Sequence, residues 1–171
     1  MVENNKINEF QKAPPEHRRK NRLAVDLYYG NRAYFITIAA AQRRRVFVTD
    51  ALVSYHLDIL SRMAAKWDFD VIAYCYMPDH LHLLVAGKAE TSDLVALVKD
   101  YKQTTGYDYK QQTGNTLWQK SFYDHVLRKD ETIQEVALYI LANPVRKQMV
   151  DRPAAYPYVG SLVYGQAIFK M

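Results

Sequence analysis

Two histidines one residue apart, His80 and His82 in YCYMPDHLHLLVAG (74–87), have the spacing of a metal-gripping pair. On a strand, side chains alternate between faces, so both imidazoles point one way and Leu81 and Leu83 the other, with the histidine Cα atoms about 6 to 7 Å apart. Two neutral imidazoles so placed can hold one cation. The pattern alone is more often structural than functional, and it needs a third ligand and a reactive partner. A hydrolase signature of three alternating histidines would require histidine at position 84, where the chain has Leu84.

Further candidates lie in YILANPVRKQMV (139–150). Tyr139 and Asn143 are four residues apart, so on a helix they share a face, about 40° apart around the axis. A phenol is a nucleophile that needs help at neutral pH, because it ionises near pH 10. Asn143 precedes Pro144, which disfavours helical backbone, and so is expected at the helix end with its amide free to project. Both residues also have plain structural readings: Asn-Pro often ends a helix, and with 14 tyrosines in 171 residues one of them must fall on this face.

Periodicity shows which elements carry these residues. AYFITIA (33–39) is β-branched and aromatic and predicts a strand. TDALVSYHLDILSRMAAKW (49–67) puts Val53, His56, Leu57, Leu60, Met63, Ala64 and Trp67 at helical spacing, with Thr49 or Asp50 as N-cap. His56 on that stripe reads as a packed histidine, not a ligand. DVIAYCYM (70–77) and HLHLLVAG (80–87) form a tight hairpin through Pro78 and Asp79. From Thr91, the residues Leu94, Leu97, Val98, Tyr101 and Thr105 keep one helical face, which makes Tyr101 core and Lys102 exposed. GNTLWQKSFYDHVLR (114–128) holds a turn and a fourth strand. A last helix is capped by Asp130 or by a capping box from Thr132 to Glu135, and is interrupted at Asn143-Pro144.

The order βαββαβ plus one helix predicts an α+β fold, a ferredoxin-like antiparallel sheet with helices on one face and an additional C-terminal helix. Such a sheet leaves its other face open for a site. Residues 1–22, with HRRKNR, read as a flexible basic arm, 23–160 as one domain and 161–171 as a C-terminal tail.

Composition narrows the class. The net charge of +5 and pI near 9.2 permit an anionic partner, and the tyrosine content suits stacking surfaces. The lone Cys75 forms no internal disulfide, the N-terminus lacks a signal peptide's apolar core, and no stretch approaches ~20 apolar residues. A cytoplasmic, non-membrane protein is expected.

Taken together and in this order, YCYMPDHLHLLV, LWQKSFYDHVLR and YILANPVRKQMV resemble the single-tyrosine transposases of the IS200/IS605 class, and most of all their REP-associated branch. YFITIAAAQRRRVFV resembles that branch's first strand and turn, so the likeness runs from about residue 28 to 160. It implies that the C-terminal helix is catalytic, with Tyr139 as nucleophile, His80 and His82 as ligands of Mg²⁺ or Mn²⁺, and Asn143 as the polar third ligand. It implies cleavage and joining of single-stranded DNA, of hairpin-forming repeat or insertion elements, through a 5′-phosphotyrosine, by a monomer or a helix-swapped homodimer. Two imidazoles and an amide leave the metal its full charge.

Trp118 and Gln119 match a tryptophan-glutamine pair of structural or DNA-contacting role. Lys102, Lys120, Arg128, Lys129, Arg146 and Lys147 are expected phosphate contacts. Asp79 and His125 are candidates for orienting or proton-transfer roles. Departures from the pattern are Asp79 where Asn or Glu is common, Lys120-Ser121 in place of an arginine-containing stretch, and Gly160-Ser161 in place of a Ser-Ser pair. Two other readings remain: a non-catalytic nucleic-acid-binding module with an RNA-binding-domain-like sheet, and a metal-dependent phosphohydrolase.

Overall fold

The computed structural model describes residues 23–128 and 131–170. The basic arm, Lys129 and the Asp130 cap lie outside the described residues. Strands β1 (Ala33–Ala39), β2 (Phe69–Met77), β3 (His80–Gly87), β4 (Tyr123–Val126) and β5 (Val159–Gly160) form one sheet in the order β4-β1-β3-β2-β5, every pairing antiparallel. The helices are α1 (Asp50–Lys66), α2 (Leu94–Thr113), α3 (Ile133–Leu141) and the short α4 (Asn143–Arg146). This is the expected α+β, ferredoxin-like arrangement.

Alternation along the strands sorts the core into two layers. Tyr34, Ile36, Ile38, Leu81, Leu83 and Val85 point into the cluster beneath α1 and α2. Phe35, Ala73, Cys75 and Leu84 point the other way, against Val136, Ala137 and Ile140 of α3. Each fully buried leucine or isoleucine contributes roughly 2 kcal/mol, and a one-residue slip of β3 would take Leu81 and Leu83 out of that cluster onto the α3 face while burying both histidines among α1 and α2.

Local signals set the ends. Thr132 Oγ1 accepts from Glu135 N while the Glu135 carboxylate accepts from Thr132 N, completing the expected capping box. Helix α2 starts at Leu94 rather than Thr91, because Asp93 caps the Ala96 N–H. The β2–β3 hairpin turns on Pro78 and Asp79 alone. Val46 N and Phe47 N both donate to Pro78 O, and Ala40 N donates to Asp79 O, clamping the loop after β1 onto that turn.

Three features depart from sequence expectation. Strand β5 is an addition: its two residues were too short to register, and they dock beside β2 because Gly160 lets the backbone approach Tyr74, whose hydroxyl would lie 2.8 Å from a Cβ there. Lys102 is half-buried, its ammonium donating to the carbonyls of Gln119 (2.9 Å), Lys120 (3.2 Å) and Ser121 (3.3 Å). The lysine thereby supplies hydrogen-bond partners to carbonyls of the loop before β4.

Asn143 is the third. It is 5% exposed and helical, with its amide turned inward. Pro144 has no N–H for the carbonyl of Ile140, and Asn143 Nδ2 reaches back to that oxygen (3.4 Å) and to Tyr139 O (3.0 Å). The side chain thus repairs the break that the proline makes.

Candidate metal and nucleophile site

On the α3 face of β3, His80 and His82 are brought together, their Nε2 atoms 3.0 Å apart. Each ring is held from behind by a different partner: His80 Nδ1 lies 2.6 Å from Asp79 Oδ1, and His82 Nδ1 lies 2.8 Å from Thr37 Oγ1. Thr37 is there because β1 pairs with β3 in the register that sets it opposite His82.

The tautomers follow from these partners. Burial lowers the pKa of His80, against the opposing pull of Asp79. Burial, then the charges of His80, Arg43, Arg146 and Lys147, hold His82 well below its ordinary value. Both rings are therefore neutral near pH 7. A neutral His80 gives its Nδ1–H to the carboxylate and presents a lone pair at Nε2. His82 then donates Nε2–H to it and accepts at Nδ1 from the Thr37 hydroxyl. For His82 to present a lone pair at Nε2 instead, its proton must move to Nδ1, where Thr37 can accept it. A hydroxyl serves either tautomer.

The residues fit a divalent cation. Octahedral ligands on neighbouring vertices at the Mg²⁺ bond length are about 3 Å apart, which is the Nε2 separation here. Among the described residues no group of three or more His, Cys, Asp and Glu side chains is placed to hold a metal. A third ligand would come from another residue type, such as Asn143. Its Nδ2 is engaged with the helix, and no hydrogen bond to Oδ1 or to either histidine is formed among the described residues. Cys75, opposite His82 on β2, is fully buried, and burial pushes its thiol pKa up, so it packs as an apolar group.

Phe35 joins the histidines to the tyrosine. Its ring stacks on His82 at 5.5 Å and meets Tyr139 edge-on at 5.9 Å. The Arg146 guanidinium lies 4.4 Å from the Tyr139 ring centroid, a cation-π contact that fixes the ring. Nothing in the one-dimensional pattern singles out Phe35 or Thr37, although both lie in the quoted first-strand stretch.

The remaining candidates scatter. Arg146 and Lys147 are exposed at α4, and their charges act on His82. Gln119, Lys120 and Arg128 are exposed near β4. Trp118 is core: 6% exposed, it donates Nε1–H to Thr105 Oγ1 (2.9 Å) and packs on Phe47, His56 and Tyr101. His125 is paired with Phe35 across the strands and bonds Glu131 through Nε2 at 2.7 Å. Arg43 was missed. Its Nη1 lies 3.5 Å from Asp79 Oδ2, within electrostatic reach of both histidines, and the only signal was the arginine run in AQRRRVFV.

Comparison with known proteins gives four likenesses. A family model described as "Transposase IS200 like" matches residues 29–143, from before β1 to the end of the tyrosine helix. A curated protein of Haemophilus influenzae, named "Putative REP-associated tyrosine transposase", is 26% identical over 137 residues, covering 73% of this chain and 77% of its own. The solved structure of a REP-associated tyrosine transposase bound to a REP hairpin superposes with TM-score 0.67 at 18% identity, covering 82% of this chain and 81% of that one. The crystal structure of a putative transposase from Deinococcus radiodurans R1 gives TM-score 0.50 at 21% identity, over 77% of this chain and 92% of that one. At these identities the structural matches speak for the fold.

Proposed function

This chain belongs to the family of IS200-like transposases, and from that premise we propose that it cuts and rejoins single-stranded DNA at hairpin-forming elements, with Tyr139 as nucleophile. The observation that carries the reading is the convergence on Phe35: the Tyr139 ring and the His82 ring pack on it, and the two imidazole Nε2 atoms face each other beside them. The relative solved with a REP hairpin supports a DNA partner of that kind.

In this reading, the Tyr139 oxygen attacks a phosphodiester and loses its proton. The bond from phosphorus to the 3′ oxygen breaks, leaving a 5′-phosphotyrosine and a 3′-hydroxyl. Attack by another 3′-hydroxyl reverses the step and joins strands, so no nucleotide cofactor is consumed. His80, His82 and the Asn143 amide oxygen would hold Mg²⁺ or Mn²⁺. When bound, that ion polarises the non-bridging oxygens of the scissile phosphate. Asp79 and Thr37 hold the imidazole planes, Phe35 sets the distance between His82 and Tyr139, and Arg146 keeps the phenol ring from rotating away. Arg146 and Lys147 supply positive charge where the phosphate must sit.

The test is a labelled single-stranded oligonucleotide carrying a hairpin, incubated with Mn²⁺ and resolved on a denaturing gel. A covalent protein-DNA band is expected from the native chain and none from Tyr139→Phe. Cleavage that survives Tyr139→Phe would replace this reading by hydrolysis. Tight binding without cleavage, across a set of hairpins, would replace it by a non-catalytic binding module.

A further inference from the structure

Gln42 and Arg43 both adopt left-handed backbone conformations, at φ 58° and 53°. Side-chain-bearing residues are strained there, whereas glycine is not. Two in succession, in a loop clamped onto the β2–β3 turn by Ala40, Val46 and Phe47, raise the question of what an arginine does at such a position.

Its ion pair with Asp79 does not answer it. Arg43 Nη1 is 3.5 Å from Asp79 Oδ2, and the arginine side chain is 55% exposed. Exposed pairs of this kind add little to stability. The direction is more informative, since the other oxygen of Asp79 holds His80. The strained turn therefore aims an exposed guanidinium at the carboxylate behind the histidine pair, with Arg146 and Lys147 supplying the charge from α4.

We propose that Arg43 is a phosphate-binding residue: its guanidinium leaves Asp79 and takes a phosphate of the single strand lying beside His80 and His82. This rests on the function proposed above. A guanidinium offers paired N–H donors that match carboxylate and phosphate alike, so the two anions compete for the same group. With the arginine on the strand, Asp79 serves His80 alone. The bound phosphate then lies between the loop after β1 and α4, and Arg43 sets the register of the strand against Tyr139.

The backbone supplies an unusual test, because Arg43→Gly removes the side chain and the strain together. In the full chain carrying Tyr139→Phe, which blocks cleavage, binding of a labelled hairpin with single-stranded flanks and of an unstructured oligothymidylate is followed by anisotropy against NaCl concentration. Arg43→Gly is expected to weaken binding on the order of tenfold, and to make log K against log salt shallower by about 0.7. Its Tm should equal or exceed that of the parent, and Arg43→Lys should restore the salt slope. Unchanged affinity and slope overturn the proposal, as does weaker binding with a lowered Tm, which marks a structural arginine. If the Arg43-intact protein binds neither oligonucleotide, the nucleic-acid reading fails with it, an outcome distinct from normal binding that ignores residue 43.

Discussion

A hydroxyl at position 37 can give and take a hydrogen bond, and His82 needs a partner that does both. With its Nε2–H turned to His80, His82 accepts from Thr37, and as a ligand of the proposed cation it would donate to it. Valine keeps the shape and the β-branching but can do neither. Thr37→Val is therefore expected to weaken Mn²⁺ binding about tenfold, the usual scale for losing a partner behind a metal-bound histidine. Calorimetric titration of the protein without DNA checks this, and unchanged affinity would show that Phe35 packing alone orients the ring. At the same scale Asn143 has two tasks on one amide: Nδ2 repairs the helix at Pro144, while Oδ1 is the atom available as a ligand.

Helix α3 reaches the sheet through Val136, Ala137 and Ile140, and its first turn is set by the Thr132–Glu135 capping box. Tyr139, the proposed nucleophile, lies between Ala137 and Ile140 on this helix, so its position depends on a cap two turns away. Thr132→Ala should cost about 1 kcal/mol, read as a shift in the urea midpoint. Strand cleavage should fall with it while hairpin binding persists, since Arg43 is carried on the loop after β1. If cleavage holds at full rate, packing on Phe35 is enough to seat Tyr139. Helix α2 works differently, because Lys102 gathers three carbonyls of the segment before β4 and thereby holds the strand that flanks Phe35.

The whole molecule carries a buried polar layer on the face opposite the site. His56 is fully buried, its Nδ1 2.9 Å from the Tyr101 hydroxyl, which in turn lies 3.0 Å from that of Tyr76. Its Nε2 has no partner among the described residues, and burial lowers its pKa from 6.5 to about 4. In the unfolded chain the imidazole takes a proton below its ordinary value, while the folded chain resists until about pH 4. Stability is then complete above pH 6.5 and declines as pH falls from there toward 4. The loss comes to about 3 kcal/mol from this residue. His80 and His82, also lowered, act in the same direction. Urea unfolding between pH 7 and 4 should show this fall, and His56→Phe should flatten it in part. An unchanged slope would assign the acid sensitivity to the pair on the other face.

What the sequence by itself determined is whatever short-range physics controls. Strand alternation put His80 and His82 on one face, helical spacing put Tyr139 and Asn143 on another, and the capping box marked where the last helix begins. The fold order followed, because β1, β2, β3 and the three longer helices announced themselves over 7 to 20 residues. A strand of two residues, β5, had no period to read.

Tertiary structure alone decided the neighbours. Thr37 meets His82, and Phe35 meets both His82 and Tyr139, because the β1–β3 register and the seat of α3 put them there, and residues 35 and 139 are too distant in the chain for any local pattern to link them. Lys102 and Trp118 turned inward for the same reason: the carbonyls before β4 and the cluster of Phe47, His56 and Tyr101, assembled only once the chain is folded, outweighed their surface chemistry. Arg43 was hidden in a run of arginines until the loop's left-handed turn aimed it at Asp79. Local interactions fix which side chains share a face, and burial and backbone pairing across the sheet fix what they face.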